Sequence, residues 1–268
     1  MRFSIITVSF NSEKTIERTI KSVLSQNCID YEYIIIDGAS KDGTLEIVRK
    51  YIPLFHGKLK FISEPDNGIY NAMNKGIKMS NGDYIGIVNS DDWLEDNALN
   101  TVLEEIEKIG NTDALICGSL CFHYENGVKL QMIADSDRFY KGIPHYSYNR
   151  GLFHPAVFVG RKVYEDVGIF DEQFRVMADI DFIYRCYEAK KPFIFVNSVI
   201  SNMSDSGVSN KINLSRSFSE NNYFLKKRNL SRLTRLKLLY MRMSTLLIKK
   251  MLPLRMIRLF REINSVSK

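Results

Sequence analysis

Two adjacent aspartates, Asp91 and Asp92, follow the apolar run Tyr84 to Val88. Neighbouring carboxylates on a turn repel each other unless a cation lies between or beside them. Hard oxygen ligands of this kind suit Mg2+ or Mn2+, with a diphosphate completing the shell. A cation held there would neutralise charge on a leaving diphosphate. The plainer alternative is that one of the pair caps a helix after Trp93. Asp37 to Asp42 ends a second apolar run, and Ser9 with Asn11 ends a third. In an open α/β sheet, ligands bind outside the carboxyl ends of the strands. One acidic strand end is explained by a cap, and Asp42 reads as one for a helix starting near Thr44. Three polar strand ends together predict a binding site.

The scaffold that carries these positions is legible from periodicity. Phe3 to Phe10 is β-branched and apolar, the pattern of a buried strand. Ile16, Ile20, Val23 and Leu24 then recur at helical spacing, with Asn11 or Ser12 as the expected cap. Strands are expected at Tyr31 to Ile36, Leu59 to Ile62 and Tyr84 to Val88. Helices are expected at Thr44 to Tyr51, Gly68 to Met79 and around Leu99 to Ile106. This alternation predicts an α/β fold with a mostly parallel sheet covered on both faces. The rhythm then changes. Ala114 to Tyr124 and Val128 to Ile133 flank Asn126-Gly127, a strong hairpin signal. Ala156 to Val159 reads as a strand, Asp179 to Ala189 as a helix and Phe193 to Val196 as a last strand. Residues 201–215, which contain Ser206-Gly207-Val208-Ser209, are polar and read as a loop.

With 268 residues, of which 45% are apolar, the chain can bury one sizeable core. The net charge of +6 conceals an asymmetry. From Leu225 to Lys268 there are 13 Lys/Arg and one acid, so this stretch carries +12 and the preceding body −6. Within it Leu233, Leu236, Tyr240, Met243 and Leu247 recur at three- and four-residue steps among arginines and lysines, and after Pro253 the pattern resumes from Leu254 to Phe260. Such a segment is expected to lie on anionic lipid; the alternatives are a helical hairpin packed on the body or a dimer contact. No cleavable leader and no membrane-spanning stretch are expected. Cys117 and Cys121 lack a second Cys/His pair, so the four cysteines predict reduced thiols rather than zinc or disulfides.

The runs SIITVSFN, IIIDGASKDGT, EPDNGIYNAMNKGI and GDYIGIVNSDDW resemble, in order and spacing, the nucleotide-binding half of family 2 glycosyltransferases. GLFHPAVFVGRKVYEDVGIFDEQFRVMADIDFIYRC is similar to the acceptor half of the same family. The resemblance covers about residues 1–210 and is nearest to enzymes of bacterial exopolysaccharide and O-antigen assembly. It implies a GT-A fold over residues 1–215, with donor binding in about 1–100 and acceptor binding in about 101–215. Residues 216–268 would form a basic amphipathic tail. Carried over by position, Ser9 and Asn11 would border the nucleoside and Asp37 would accept a hydrogen bond from the base, favouring a uracil N–H. Asp66, Asn71 and Lys75 would flank the donor, with Lys75 offsetting phosphate charge or merely lying on a solvated face. Asp91 and Asp92 would serve the metal and the ribose-diphosphate, and Asp179 would be the catalytic base. His154 would touch acceptor or diphosphate. Asp181 reads as structural or as a supporting partner, as exchanging roles with Asp179, or with His154 as an acceptor or diphosphate contact. The sequence departs from the family habit at Val8 (often Pro), Gly38 (often Asp), Asn89 (often Asp) and Ala178 (often Glu).

The resemblance thus implies an inverting transferase using Mn2+ or Mg2+. It would move a sugar from a nucleotide diphosphate, by family habit UDP, to a hydroxyl of a glycan or polyprenyl-diphosphate-linked acceptor. A cytoplasmic enzyme at the inner face of the membrane is expected, with no nucleic-acid partner and with homo-oligomerisation left open. A nucleotidyltransferase would carry a glycine-rich loop after the first strand, where this chain has Asn-Ser-Glu-Lys. A noncatalytic sugar-nucleotide-binding or scaffold subunit would lack Asp91, Asp92 or Asp179, and all three are present.

Overall fold

The β-branched segments do assemble side by side. In the computed structural model, which describes residues 3–28, 30–110, 113–124, 126–146, 151–204 and 213–251, β1 (Phe3–Ser9) and β2 (Tyr31–Asp37) are buried along their whole length. β1 pairs in parallel with β2 on one side and with β4 (Tyr84–Ile87) on the other, and β3 (Leu59–Ser63) adds to β2, also in parallel. The register sets Ser9 opposite Asp37 and Asp37 opposite Ser63. The polar strand ends therefore meet in one row.

Beyond β4 the sheet changes character. β8 (Val157–Gly160) runs antiparallel to β4, and β6 (Leu115–His123) antiparallel to β8. β9 (Phe193–Ser204) lies parallel to β6, and the two-residue β5 (Trp93–Leu94) pairs with β9 in the antiparallel sense. The hairpin expected at Asn126-Gly127 joins β6 to β7 (Lys129–Met132), with Gly127 at φ 82°. The last strand is longer than its apolar part. Ser201 and Asn202, polar by type, lie inside β9 opposite Leu120 and Cys121 of β6. Their side chains are satisfied there: Ser201 donates to the Trp93 carbonyl at 3.4 Å and Asn202 to Glu95 at 2.8 Å. The loop expected from residue 201 thus does not start there, because β9 runs through Ser204.

Side chains alternate across the strands, and each face buries its own core. Phe3, Ile5, Tyr33 and Ile35 pack with α1 (Ile16–Leu24), α2 (Thr44–Tyr51) and α4 (Ala98–Ile109). Ile6, Val8, Ile34 and Ile36 belong to the core that holds α3 (Ile69–Met79), α5 (Ser136–Gly142), α6 (Arg161–Val167) and α7 (Ala178–Glu188). That second core also takes in α8 (Leu214–Lys226) through Phe224 and Leu225, both fully buried, and α9 (Arg232–Met251) through Leu239. α8 and α9 thus share this core with the elements before residue 215. Residues 205–212, with the Ser206 to Ser209 stretch, and the tail from residue 252 onward lie outside the described residues.

Candidate active site at the strand ends

Asp37, at the end of β2, has no solvent exposure. Ser9 donates to its Oδ1 at 3.0 Å and Ser40 at 2.5 Å, while Ser63 donates to Oδ2 at 2.8 Å and the Ser40 amide at 2.9 Å. A carboxylate has about four acceptor positions, and here all are taken. In this arrangement Asp37 locks three strand ends and the 38–40 turn together. Asn11, at φ 50°, uses its side-chain oxygen on the Lys41 amide at 2.9 Å and its own amide on Ser40. It thus shapes the same turn rather than capping α1. Asp42 accepts from the Thr44 amide at the start of α2, as expected, and also from the Glu13 amide.

The turn after β4 is held by α1 and by the loop that precedes it. Thr19 donates to the Asp92 carbonyl at 2.6 Å, Arg18 to the Asp91 carbonyl at 2.9 Å, and Ser12 and Ser90 share a 2.8 Å hydrogen bond. The Arg18 guanidinium lies 3.6 Å above the Trp93 ring. Asp92 is buried, receiving Asn89 Nδ2 on Oδ2 at 3.1 Å and the Ser204 amide on Oδ1 at 3.3 Å. Burial, then the neighbouring charge of Asp91, raises its pKa to about 7, against smaller opposing contributions from Asn89, Ser204 and Arg18. Burial also raises Asp91, and Arg18 works in the opposite direction. Among the described residues no group of three or more His, Cys, Asp or Glu side chains is arranged to hold a metal ion. The turn nevertheless fits a hard divalent cation. Besides the two carboxylates it contains Asn89 Oδ1, which is buried and has no hydrogen-bond partner. Two carboxylates and an amide oxygen are a set that Mg2+ or Mn2+ accepts when phosphate oxygens supply the remainder.

The third wall is the loop from Glu64 to Gly68. Asp66 accepts from the Gly68 amide at 2.8 Å through Oδ1, and its Oδ2 lies only 2.5 Å from where a Cβ on Gly38 would stand. The Phe10 ring, 63% exposed, lies 3.3 Å from the same point. The absence of a side chain at Gly38 is thus what brings Asp66 and Phe10 together. Lys75 is already engaged, 2.7 Å from Glu64 and 3.1 Å from the Pro65 carbonyl, so it braces the loop rather than offering a spare charge to phosphate. Asn71 donates to Glu172 at 2.8 Å and accepts from the Asn67 amide. It thus joins this loop to the segment that leads into α7.

Asp179 lies in the first turn of α7, partly accessible, where the helix dipole favours negative charge. Tyr70, from the first turn of α3, donates its hydroxyl to Asp179 Oδ1 at 3.0 Å. Burial and then the Asp179 charge raise the Tyr70 pKa well above its ordinary value, so the hydroxyl remains a donor. His154 lies edge-on to Phe170 with ring centroids 5.6 Å apart. Burial lowers its pKa although Asp179 pulls the other way, leaving it neutral near pH 7. Asp181 corrects the expectation of an acceptor or diphosphate contact. It has no exposure and is ion-paired to Arg185 at 2.9 Å, Arg228 at 3.1 Å and Lys227 at 3.2 Å. One cation of α7 and two from the turn after α8 consume it, and it joins α7 to that turn.

Residues 4–166 match the glycosyl transferase family 2 domain. The chain belongs to that family. A PGL/p-HBAD biosynthesis glycosyltransferase of Mycobacterium bovis (strain BCG / Pasteur 1173P2) is 30% identical over 186 residues, 69% of each chain. Chondroitin synthase of Escherichia coli is 37% identical over 105 residues, which are 39% of this chain and 15% of that protein. Among solved structures, S. aureus TarS 1-349 in complex with UDP-GlcNAc superposes with a TM-score of 0.67 at 18% identity, covering 89% of this chain and 70% of that one. The mannosyltransferase PcManGT of Pyrobaculum calidifontis, in complex with GDP-Man and Mn2+, gives 0.58 at 14% identity, covering 89% and 68%. The glycosyltransferase fold is therefore GT-A. Three residues around these strand ends carry no signal strong enough to be singled out from the sequence: Phe10, Arg18 and Tyr70. Phe10 could have been found as the aromatic that directly follows Ser9 at a polar strand end. Tyr70 looks like one more apolar position of α3, and only the fold reveals its partner.

Proposed function

We propose that this glycosyltransferase moves a sugar from a nucleoside diphosphate, UDP in the first instance, to a hydroxyl of a glycan or lipid-linked acceptor with inversion at the anomeric carbon. The observation that carries the reading is the Tyr70–Asp179 hydrogen bond. It fastens a partly exposed carboxylate of the acceptor half to the helix that opens on the donor loop. Asp179 takes the proton of the acceptor hydroxyl, whose oxygen forms the new bond to the anomeric carbon. The bond to the diphosphate breaks, and the diphosphate leaves with the electron pair. One base suffices for single displacement, and general-base catalysis contributes roughly 100- to 10,000-fold. Tyr70 fixes the carboxylate rotamer and leaves Oδ2 for the acceptor. Asp91, Asp92 and Asn89 would hold a divalent cation, which neutralises charge on the diphosphate when bound. The structures of TarS with UDP-GlcNAc and with UDP support a uridine donor here. With Asp37 occupied, Asp66 beside the exposed Phe10 ring is the carboxylate suited to accept a base N–H.

In this reading residues of about 1–100 bind the donor and those following them the acceptor. Asp179→Asn should abolish transfer, measured as release of nucleoside diphosphate with acceptor present, while UDP still binds with unchanged affinity in calorimetry. Near-normal transfer by that variant sinks the assignment.

The acceptor reading extends to the membrane surface. Leu233, Leu236, Tyr240, Leu247 and Met251 of α9 are between 45% and 84% exposed and fall on one helical face, with Arg232 and Lys237 also exposed. Among the described residues no helix is long and apolar enough to cross a membrane. An apolar stripe edged by cations on a helix whose other face is docked to the enzyme suits an anionic bilayer lying along it.

A further inference from the structure

α7 starts without a cap of its own. Its N-cap position is Met177, which has no side chain able to accept a hydrogen bond, and Val176 precedes it. The need is met from a distant element. Glu220 of α8, 6% exposed, accepts the Arg175 amide at 3.0 Å on Oε1 and the Val176 and Met177 amides, each at 3.1 Å, on Oε2. Charge-assisted bonds of this kind are roughly twice as strong as neutral ones, and here one carboxylate receives three. The same short segment is gripped from the donor half. The Arg175 guanidinium donates to the Asn67 carbonyl, Glu172 accepts from Asn71 and Asn74 at 2.8 Å each, and the Phe170 amide donates to Asn74 at 3.0 Å. One turn further along α7, Arg228 and Lys227 hold Asp181. Asp179 thus projects from a backbone fixed on both sides and has its own oxygen tethered by Tyr70. The Glu220 charge also contributes to raising the Tyr70 pKa, behind burial and Asp179, which keeps that tether protonated.

We infer that Glu220 is a positioning residue for transfer. By clamping the three amides before α7 it sets the direction in which Asp179 meets the acceptor hydroxyl. The inference rests on the reading of Asp179 as the base. It makes α8 a working part of the acceptor half rather than the beginning of a tail.

The test uses the full chain and three variants, Asp179→Asn, Glu220→Ala and Glu220→Gln, each measured for kcat of transfer, UDP affinity and thermal midpoint. Glu220→Ala should lower kcat roughly ten- to hundredfold, the scale of a misplaced catalytic group, with UDP affinity within about twofold of wild type at a temperature where the variant is folded. Glu220→Gln retains one acceptor oxygen and should recover part of the loss, which a purely destabilising change would not show as a kcat effect. Unchanged kcat in Glu220→Ala, with transfer lost in Asp179→Asn, overturns the clamp alone. A fall in kcat accompanied by an equal fall in UDP affinity, in both Glu220 variants, also overturns it. Transfer surviving in Asp179→Asn overturns the base reading, and the clamp with it.

Discussion

Asp92 is buried beside Asp91 with a pKa of about 7, against 3.8 for a free side chain. Between those values the folded protein holds a proton that the unfolded chain has lost. The associated stability is present at low pH and disappears as the pH rises through about 7. His154, lowered by burial, works in the opposite sense near its own range, so the comparison must be made against Asp92→Asn. We expect the metal-free wild type to lose thermal stability relative to Asp92→Asn between about pH 6 and pH 8. Mn2+ should raise the wild-type midpoint more at the upper pH, with proton release on binding. Parallel pH profiles for the two proteins, or an Mn2+ effect independent of pH, would refute this linkage. The Asp91-Asp92 turn is legible in the sequence because both residues are adjacent and follow an apolar run. The environment of Asp37 is not, because Ser9, Ser40 and Ser63 come from separate strand ends and converge only through the parallel register. Identical residue types thus admit a ligand contact and a locked turn alike until the register is known.

At the scale of elements, the loop between β3 and α3 depends on Gly68. Its φ is +110°, and a Cβ there would come 2.5 Å from the Arg175 guanidinium that donates to Asn67. The guanidinium can move, whereas the backbone conformation is unfavourable for any L side chain. Gly68→Ala should therefore cost about 1–3 kcal/mol, a fall of several degrees in the midpoint measured by calorimetry, and weaken UDP binding through Asp66. A midpoint within about a degree of wild type would contradict the strain argument. Most elements of the first hundred residues follow from periodicity because each of β1 to β4 is a short, largely apolar run and each helix has one apolar face. The second half is harder to read. Ser201 and Asn202 look like loop residues, yet β9 carries them because His123, Glu95 and Trp93 satisfy their side chains. α6 follows β8 immediately, from Gly160 to Arg161, leaving no turn residues to announce it.

For the whole molecule, the basic segment has two faces that composition merges into one. The inner face of α9 is docked through Leu239, and Arg242 donates to Asn221 and to the Tyr146 carbonyl; the outer face exposes Leu233, Leu236, Tyr240 and Leu247, the surface proposed above to meet lipid. Cutting the chain near Leu225 would damage the core, so the informative variant is Leu236→Glu with Leu247→Glu. We expect wild type to float with vesicles containing anionic phosphatidylglycerol and to lose this at high salt, whereas the double variant stays in solution with transfer to a water-soluble acceptor unchanged. Flotation unaffected by both changes would reject α9 as the contact. The Glu220 clamp has a different consequence for anyone recombining such enzymes. If the clamp holds, the 175–177 amides and Glu220 should be inherited together: a splice at 215 would separate the carboxylate from the amides it serves, and chimeras crossed there should lose activity.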